Sequence, residues 1–318
     1  MKKFLKNICL GLIPLGIYVF LIISVDPYNY FNDSFKTKNK SKISETNNKA
    51  LNQILGLKNV EFEKIIVGDS RVGALNKDYI LENYQLDFKK IVIPAAKLNE
   101  INDLVHFMVS NQSINEIIIG MNFNMFNDFA FSTRADEILK IYEKPLFYIF
   151  NFNIFKLSIK ILNNHLFKLD IADSKPTISK DEFWQQHLNT RSKWQYSRFK
   201  YPIDYAEKIK ELDDYCLENN IKFTVILFPH HYDDIKVLKS YNLIEDKKRF
   251  YALMKELNGL VINYDYYHER ILNSNNFDDP VHFNDEIGKI IVDEVFSNAL
   301  QWGISNKDEN FTKMIYDN

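Results

Sequence analysis

From about residue 50 onward, short apolar runs alternate with stretches whose apolar residues recur every three or four positions, so strands and helices are expected in turn. A strand is predicted at 64–67, a helix at 76–82, a strand at 88–93, a helix at 98–109 and a strand at 116–121. The rhythm breaks across 127–201 and then resumes. A helix at 205–218, a strand at 222–228, a helix at 233–257, a strand at 259–264 and a closing helix at 284–300 complete it. Strand and helix in strict alternation predict an α/β domain of three layers, α/β/α, around a five-stranded parallel sheet.

The break at 127–201 is rich in Phe, Ile and Leu without strand signals, and Trp184 and Trp194 follow in a more polar part. It reads as a helical insertion after the third strand. Packing over a site as a lid, lying along a membrane, contacting a membrane partner, and forming a second layer of core are all open for it.

Ahead of the domain, residues 8–25 carry no charge and are about long enough to cross a bilayer as a helix. No small-residue cleavage pattern follows the run, so an uncleaved transmembrane anchor is expected ahead of a signal peptide or a buried core helix. Lys2, Lys3 and Lys6 precede the span and Asp26 follows it, which places the remainder outside the cytoplasm, although Lys36, Lys38, Lys40 and Lys42 pull the other way. The expected organisation is an anchor at 1–31 with membrane lipid as its partner, a polar tether at 32–49, the α/β domain at 50–303 and a polar tail at 304–318. Cys9 lies in the span and Cys216 in a helix, so no disulfide is expected.

Composition narrows the partners. With a formal charge of -2 and no basic stripe, a nucleic acid held by bulk electrostatics is excluded. Nine glycines and eight prolines against 25 Phe and 18 Tyr describe a well-packed chain with little linker.

Two strings carry the chemistry. Lys64-Ile-Ile-Val-Gly-Asp-Ser70 is an apolar strand running into a turn, which lifts the Ser70 hydroxyl onto the rim of the sheet at the start of a helix. Asp279-Pro-Val-His282 places a histidine before the last helix with a carboxylate three residues earlier to hold its ring. Ser70, Asp279 and His282 therefore form a candidate nucleophile, orienter and base, in one of the chain orders known for such triads. Each string alone is also an ordinary helix cap. Pro229-His230-His231-Tyr232-Asp233 follows the fourth strand; adjacent histidines rarely ligate one ion and no third ligand is spaced for it, so no metal is expected and His231 is a candidate substrate contact.

On Gly68-Asp69-Ser70 and Asp279-x-x-His282, the chain resembles the SGNH (GDSL-like) hydrolase superfamily, in its membrane-anchored branch associated with cell-surface polysaccharide O-acylation. The resemblance spans about 62–300 outside the insertion and implies a flavodoxin-like sheet without a cofactor. It also implies an oxyanion hole from Ser70, a backbone N–H in Ile93-Pro94-Ala95-Ala96-Lys97, for which Ala96 is the counterpart of the family's glycine, and Asn122 in Gly120-Met121-Asn122-Phe123. Arg71 stands where the family has leucine and is a candidate contact for an anionic substrate. The implied function is a serine esterase or O-acyltransferase on an extracytoplasmic glycan of a bacterial inner membrane, working with a multi-pass acyltransferase. The alternative is an inactive glycan-binding or assembly protein.

Overall fold

The structure is a computed structural model that describes residues 1–31, 35–37, 39–130, 132–168, 178–297 and 299–312. Parts of the expected tether (32–34 and 38), insertion (131 and 169–177), closing helix (298) and tail (313–318) lie outside the described residues. The chain forms two compact units, Met1–Val60 with Asp136–Lys175, and Glu61–Ala135 with Pro176–Asn318. The expected insertion is therefore divided: 136–175 belongs with the N-terminal segment, and the rest belongs with the sheet.

In the second unit, β1 (Lys64–Gly68), β2 (Lys89–Val92), β3 (Glu116–Met121), β4 (Lys222–Leu227) and β5 (Leu260–Asn263) run parallel in the order β2-β1-β3-β4-β5. Every residue of β3 is buried, and so are the last four of β1, as expected of strands covered on both faces. The chain steps one way from β1 to β2 and the other way from β2 to β3. With right-handed crossovers, those connections must lie on opposite faces of the sheet. Accordingly the Lys77–Tyr84 helix packs with the Asp285–Ser297 helix, and the Leu98–Asn111 helix packs with the Ile203–Glu218 helix.

Two further strands, β6 (Phe277–Asp279) and β7 (His282–Phe283), form a short antiparallel hairpin, and β8 (Ile304–Ser305) pairs antiparallel with β5. The sheet is thus six-stranded and mixed, which corrects the five-stranded parallel expectation. Beyond Gly303 the chain is pinned through Asn306, whose N–H donates to the Val261 carbonyl at 2.8 Å while its Oδ1 accepts the Val261 N–H at 3.0 Å. The helix expected at 233–257 is two helices, Tyr232–Ser240 and Ile244–Lys255. Asn242 between them has φ 58°, a left-handed conformation that asparagine tolerates and that ends a helix.

Gly68 and Gly120 are register partners on β1 and β3, on either side of the point where the strand order reverses. A Cβ on Gly68 would come within 2.5 Å of the Gly120 carbonyl oxygen and of the Val72 side chain, and one on Gly120 would strike Val72 and Phe228. Neither glycine has positive φ. Their role is close approach: they let the turn after β1 lie down on the sheet at the place where an open α/β fold receives its ligands.

In the first unit, the Lys2–Val25 helix carries Pro14 and ends at Asp26, which has φ 42°. The Asp26 carboxylate accepts from the Tyr30 N–H (2.9 Å), the Phe31 N–H (2.8 Å) and the Tyr148 hydroxyl (2.7 Å). Ile22 and Val25 are buried, and the Tyr18 ring lies 4.7 Å from that of Phe155. Among the described residues no helix is long and apolar enough to cross a membrane. This overturns the expected transmembrane anchor at 1–31, and with it the single-pass inner-membrane placement. Part of the apolar run packs on the Phe152–Phe167 helix of the same unit, and a proline interrupts its middle. The expected tether also contains structure, since Lys40–Asn47 is helical and buries Ile43.

Candidate active site

β1 ends in Gly68, and Asp69 caps the short turn Ser70–Ala74 by accepting the Arg71 N–H on Oδ1 at 3.0 Å. That turn carries Ser70 to the rim. The β6–β7 hairpin delivers the partners: Asp279 Oδ1 accepts the N–H groups of Val281 (2.9 Å) and His282 (3.0 Å), closing the turn that its own carboxylate then uses. Oδ2 accepts the His282 Nδ1–H at 2.8 Å, which leaves Nε2 as an acceptor, and Ser70 Oγ donates to it at 2.7 Å. Burial opposes the charge on Asp279. The His282 ring and the Val281 N–H nonetheless hold its carboxyl down to about 2. Residues 212 apart in the chain thus meet as a connected Ser–His–Asp set.

Ser70 and His282 line a cavity of about 360 Å³, together with Asp69, Arg71, Pro94, Ala95, Ala96, Lys97, Asn122 and Asn124. Among the described residues the Ser70 and Ala95 N–H groups have no acceptor. Asn122, buried at the end of β3, gives one amide hydrogen to Asp69 Oδ2 at 2.8 Å and keeps a second. The Ala96 N–H, expected in this role, instead donates to the Ile93 carbonyl at 3.0 Å. Ala95 is the residue with positive φ, 55°, the conformation a glycine would adopt without strain. The loop is strapped from outside by Arg134, which donates to the Pro94 carbonyl at 3.0 Å and pairs with buried Glu100 at 2.8 Å. Three N–H donors thus border the cavity that holds the serine.

A second connected chain lies behind the triad. Arg71 is buried and its Nη1–H donates to His230 Nε2 at 3.1 Å; His230 Nδ1–H donates to Asp265 Oδ2 at 3.2 Å, and Lys247 Nζ stands 2.9 Å from the same oxygen. Burial works against the charges on both Asp265 and Lys247, and their mutual attraction, with His230, holds the Asp265 carboxyl well below the carboxylate range. Arg71 lines the cavity, but much of its guanidinium is committed to this chain. His231, the other candidate contact, is placed elsewhere. Its Nδ1 accepts the Asp233 N–H at 3.1 Å, its Nε2–H points at the Leu272 carbonyl at 3.3 Å, and its ring sits against Trp184 and Phe277. Capping and packing account for it, and it does not line the cavity.

No family model and no curated protein matches the chain.

The site also contains residues that sequence reasoning passed over. His187, Arg191, Ser192 and Gln195 complete the cavity wall, and they come from the Lys180–His187 helix, the π-helical turn Leu188–Ser192 and the Lys193–Tyr196 helix. This wall is fixed in place. Ser192 Oγ and the Tyr196 hydroxyl donate to the two oxygens of buried Asp234, and Trp184 Nε1 donates to Asp233 at 3.1 Å. Buried His187 has its Nδ1 3.9 Å from Asp279 Oδ2, too far for a hydrogen bond, and burial holds its imidazole below its ordinary value. Nothing local in the sequence points to these residues, because the wall is assembled only when this segment packs on the Tyr232–Ser240 helix and the β6–β7 hairpin. Lys97 lay inside a string already singled out, and Asn124 directly after another.

Proposed function

We propose that the protein is a serine esterase or O-acyltransferase that works through an acyl-Ser70 intermediate, as the SGNH resemblance implies. One observation carries the reading: Ser70 Oγ, the His282 ring and the Asp279 carboxylate form an unbroken hydrogen-bonded line of 2.7 Å and 2.8 Å at the edge of a cavity. As Ser70 Oγ attacks the ester carbonyl carbon, its proton passes to His282 Nε2 and the carbonyl electrons move onto oxygen. The oxyanion faces the N–H groups of Ser70 and Ala95 and the second amide hydrogen of Asn122. When the ester C–O bond breaks, the proton on His282 goes to the departing alkoxide, which leaves as an alcohol. Water or an acceptor hydroxyl then gives its proton to His282 as it attacks the acyl carbon; the bond from that carbon to Ser70 Oγ breaks, and His282 returns the proton to Oγ, releasing the acid or the new ester. Asp279 stays ionised throughout and stabilises the imidazolium.

The inactive binding protein, the other reading of the sequence, would gain if Ser70 and His282 stood apart with no second donor facing the serine; the 2.7 Å contact between them does not add to it. The argument for a membrane acyl donor rested on the anchor and falls with it. Incubation of the full chain with p-nitrophenyl acetate, beside Ser70→Ala, tests the serine chemistry. Turnover by the wild type, a mass increment of one acetyl on Ser70 and silence of the variant are expected. Equal turnover by both proteins overturns the assignment.

A further inference from the structure

The cavity beside Ser70 carries more positive charge than the triad chemistry uses. Arg71, Lys97 and Arg191 line it, and Asp69 is the acidic residue among the described lining residues. The Asp69 carboxylate is already engaged by the Arg71 N–H and the Asn122 amide, while Arg71 gives Nη1 to His230 and has its Nε 3.7 Å from Asp69. The other two cations have no carboxylate partner among the described residues. Lys97 is buried, and its ammonium donates to the Asn124 carbonyl at 3.0 Å, with no ion pair to a carboxylate among the described residues. Burial pushes that ammonium down to about 8 in spite of the nearby charges of Asp69 and Glu100, so its charge is under-compensated where it sits.

Arg191 is exposed at the cavity mouth, also without an ion pair among the described residues. The two cations line the same cavity. Gln195 Nε2 donates at 3.3 Å to the same Asn124 carbonyl that takes the Lys97 ammonium, and Arg191 precedes Gln195 by four residues, which puts the pair on one helical face. The same face continues outward into a depression of about 400 Å³ lined by Thr190, Arg191, Trp194 and Gln195. Trp194 is half exposed there, so this side gives the departing half of a substrate room to extend.

We propose that Lys97 and Arg191 form an anion subsite that holds a carboxylate on the alcohol half of the ester whose acyl group passes to Ser70. A carboxylate has two oxygens and can meet an ammonium with one and a guanidinium with the other. The inference rests on the serine reading above, and its test separates the two.

The probes are meta-acetoxybenzoate and meta-acetoxybenzamide, which transfer the same acetyl group from leaving phenols that differ in the charge of one substituent. With the full chain at low ionic strength, kcat/KM favours the carboxylate by roughly tenfold, the equivalent of one charge-assisted hydrogen bond. In Arg191→Gln the ratio of the two kcat/KM values collapses towards one, and Arg191→Lys restores part of it. Arg191 is exposed, so these variants fold. Equal kcat/KM for the two esters in the wild type, or a preference that survives Arg191→Gln, overturns the subsite. If neither ester is turned over, the serine reading fails by itself, and calorimetric titration of Ser70→Ala with the same two compounds decides the subsite. Tighter binding of the carboxylate, lost when Arg191→Gln is added, sustains it; equal binding, or none, overturns it.

Discussion

Replacing Asp279 with asparagine changes one atom and separates orientation from shape. Asp279 Oδ1 accepts two backbone N–H groups and Oδ2 accepts the His282 Nδ1–H, so the asparagine carbonyl can keep the turn while its amide nitrogen faces the ring. An amide donor opposite Nδ1 makes that nitrogen the acceptor and moves the proton to Nε2. In that tautomer His282 cannot take the proton of Ser70. The expected loss in kcat is about 10³ to 10⁴-fold, or about 4–5 kcal/mol of activation free energy.

The same variant reports on stability. A buried carboxyl held at about 2 in the folded chain against 3.8 otherwise contributes about 2 kcal/mol. Because its folded value is depressed, that contribution is present above the unfolded value and is lost as pH falls from near 4 towards 2. Asp279→Asn has no such dependence. Ester turnover at neutral pH measures the first effect, and urea unfolding followed by circular dichroism along an acid series measures the second. Turnover within about tenfold of the wild type would refute the tautomer argument, and an unchanged acid dependence of stability would refute the electrostatic one.

Ala95→Gly relieves the left-handed strain at φ 55° but adds freedom to the unfolded chain, so a net gain of about 0.5–1 kcal/mol is expected in urea unfolding, and a loss would show that the Ala95 methyl packs usefully. Lys247→Met removes the cation 2.9 Å from buried Asp265 and leaves that charge to neighbours such as His230 and Tyr251. A destabilisation of about 3–5 kcal/mol is expected by the same unfolding measurement, and a change below about 1 kcal/mol would mean that Asp265 is held neutral.

How far each part of this architecture could be read beforehand follows from how local its signal is. Parallel strands buried on both faces are short and continuously apolar, so β1 and β3 stand out in the sequence almost to the residue. The triad was legible for a related reason: Ser70 directly follows a strand end, and the pair of Asp279 and His282 is fixed by its own three-residue turn. The oxyanion loop was legible only in part. Ala95 and Ala96 are neighbours of one residue type, and which N–H faces the cavity depends on the left-handed φ of Ala95, which no side-chain pattern encodes. The break between Ser240 and Ile244 was hidden similarly, since Asn242 looks like any polar helix residue until its conformation is known.

The two largest departures have one physical source, which is that an apolar run states a need for burial and not what will satisfy it. The run at 8–25 has the length and composition of a membrane span, yet only its C-terminal end packs on protein, with Ile22 and Val25 buried and Tyr18 on Phe155, while Leu10, Ile13, Ile17 and Phe20 are exposed. The insertion is apolar in its first part, which joins the N-terminal unit, while 180–196 is tied by Ser192, Trp184 and Tyr196 to the acidic start of the Tyr232–Ser240 helix. Those ties are polar and long-range, invisible to hydrophobic periodicity. They are also what brings Arg191 and Gln195 to the cavity that Lys97 lines, so the residues that would select a substrate are the ones whose positions depend most on tertiary structure. The meeting of Ser70, His282 and Asp279, the candidate nucleophile, base and orienter, depends on two local turns at the edge of the sheet. A wall contributed by an insertion can change without disturbing them, which is how one sheet edge can keep its chemistry while the charge of the group it accepts is altered.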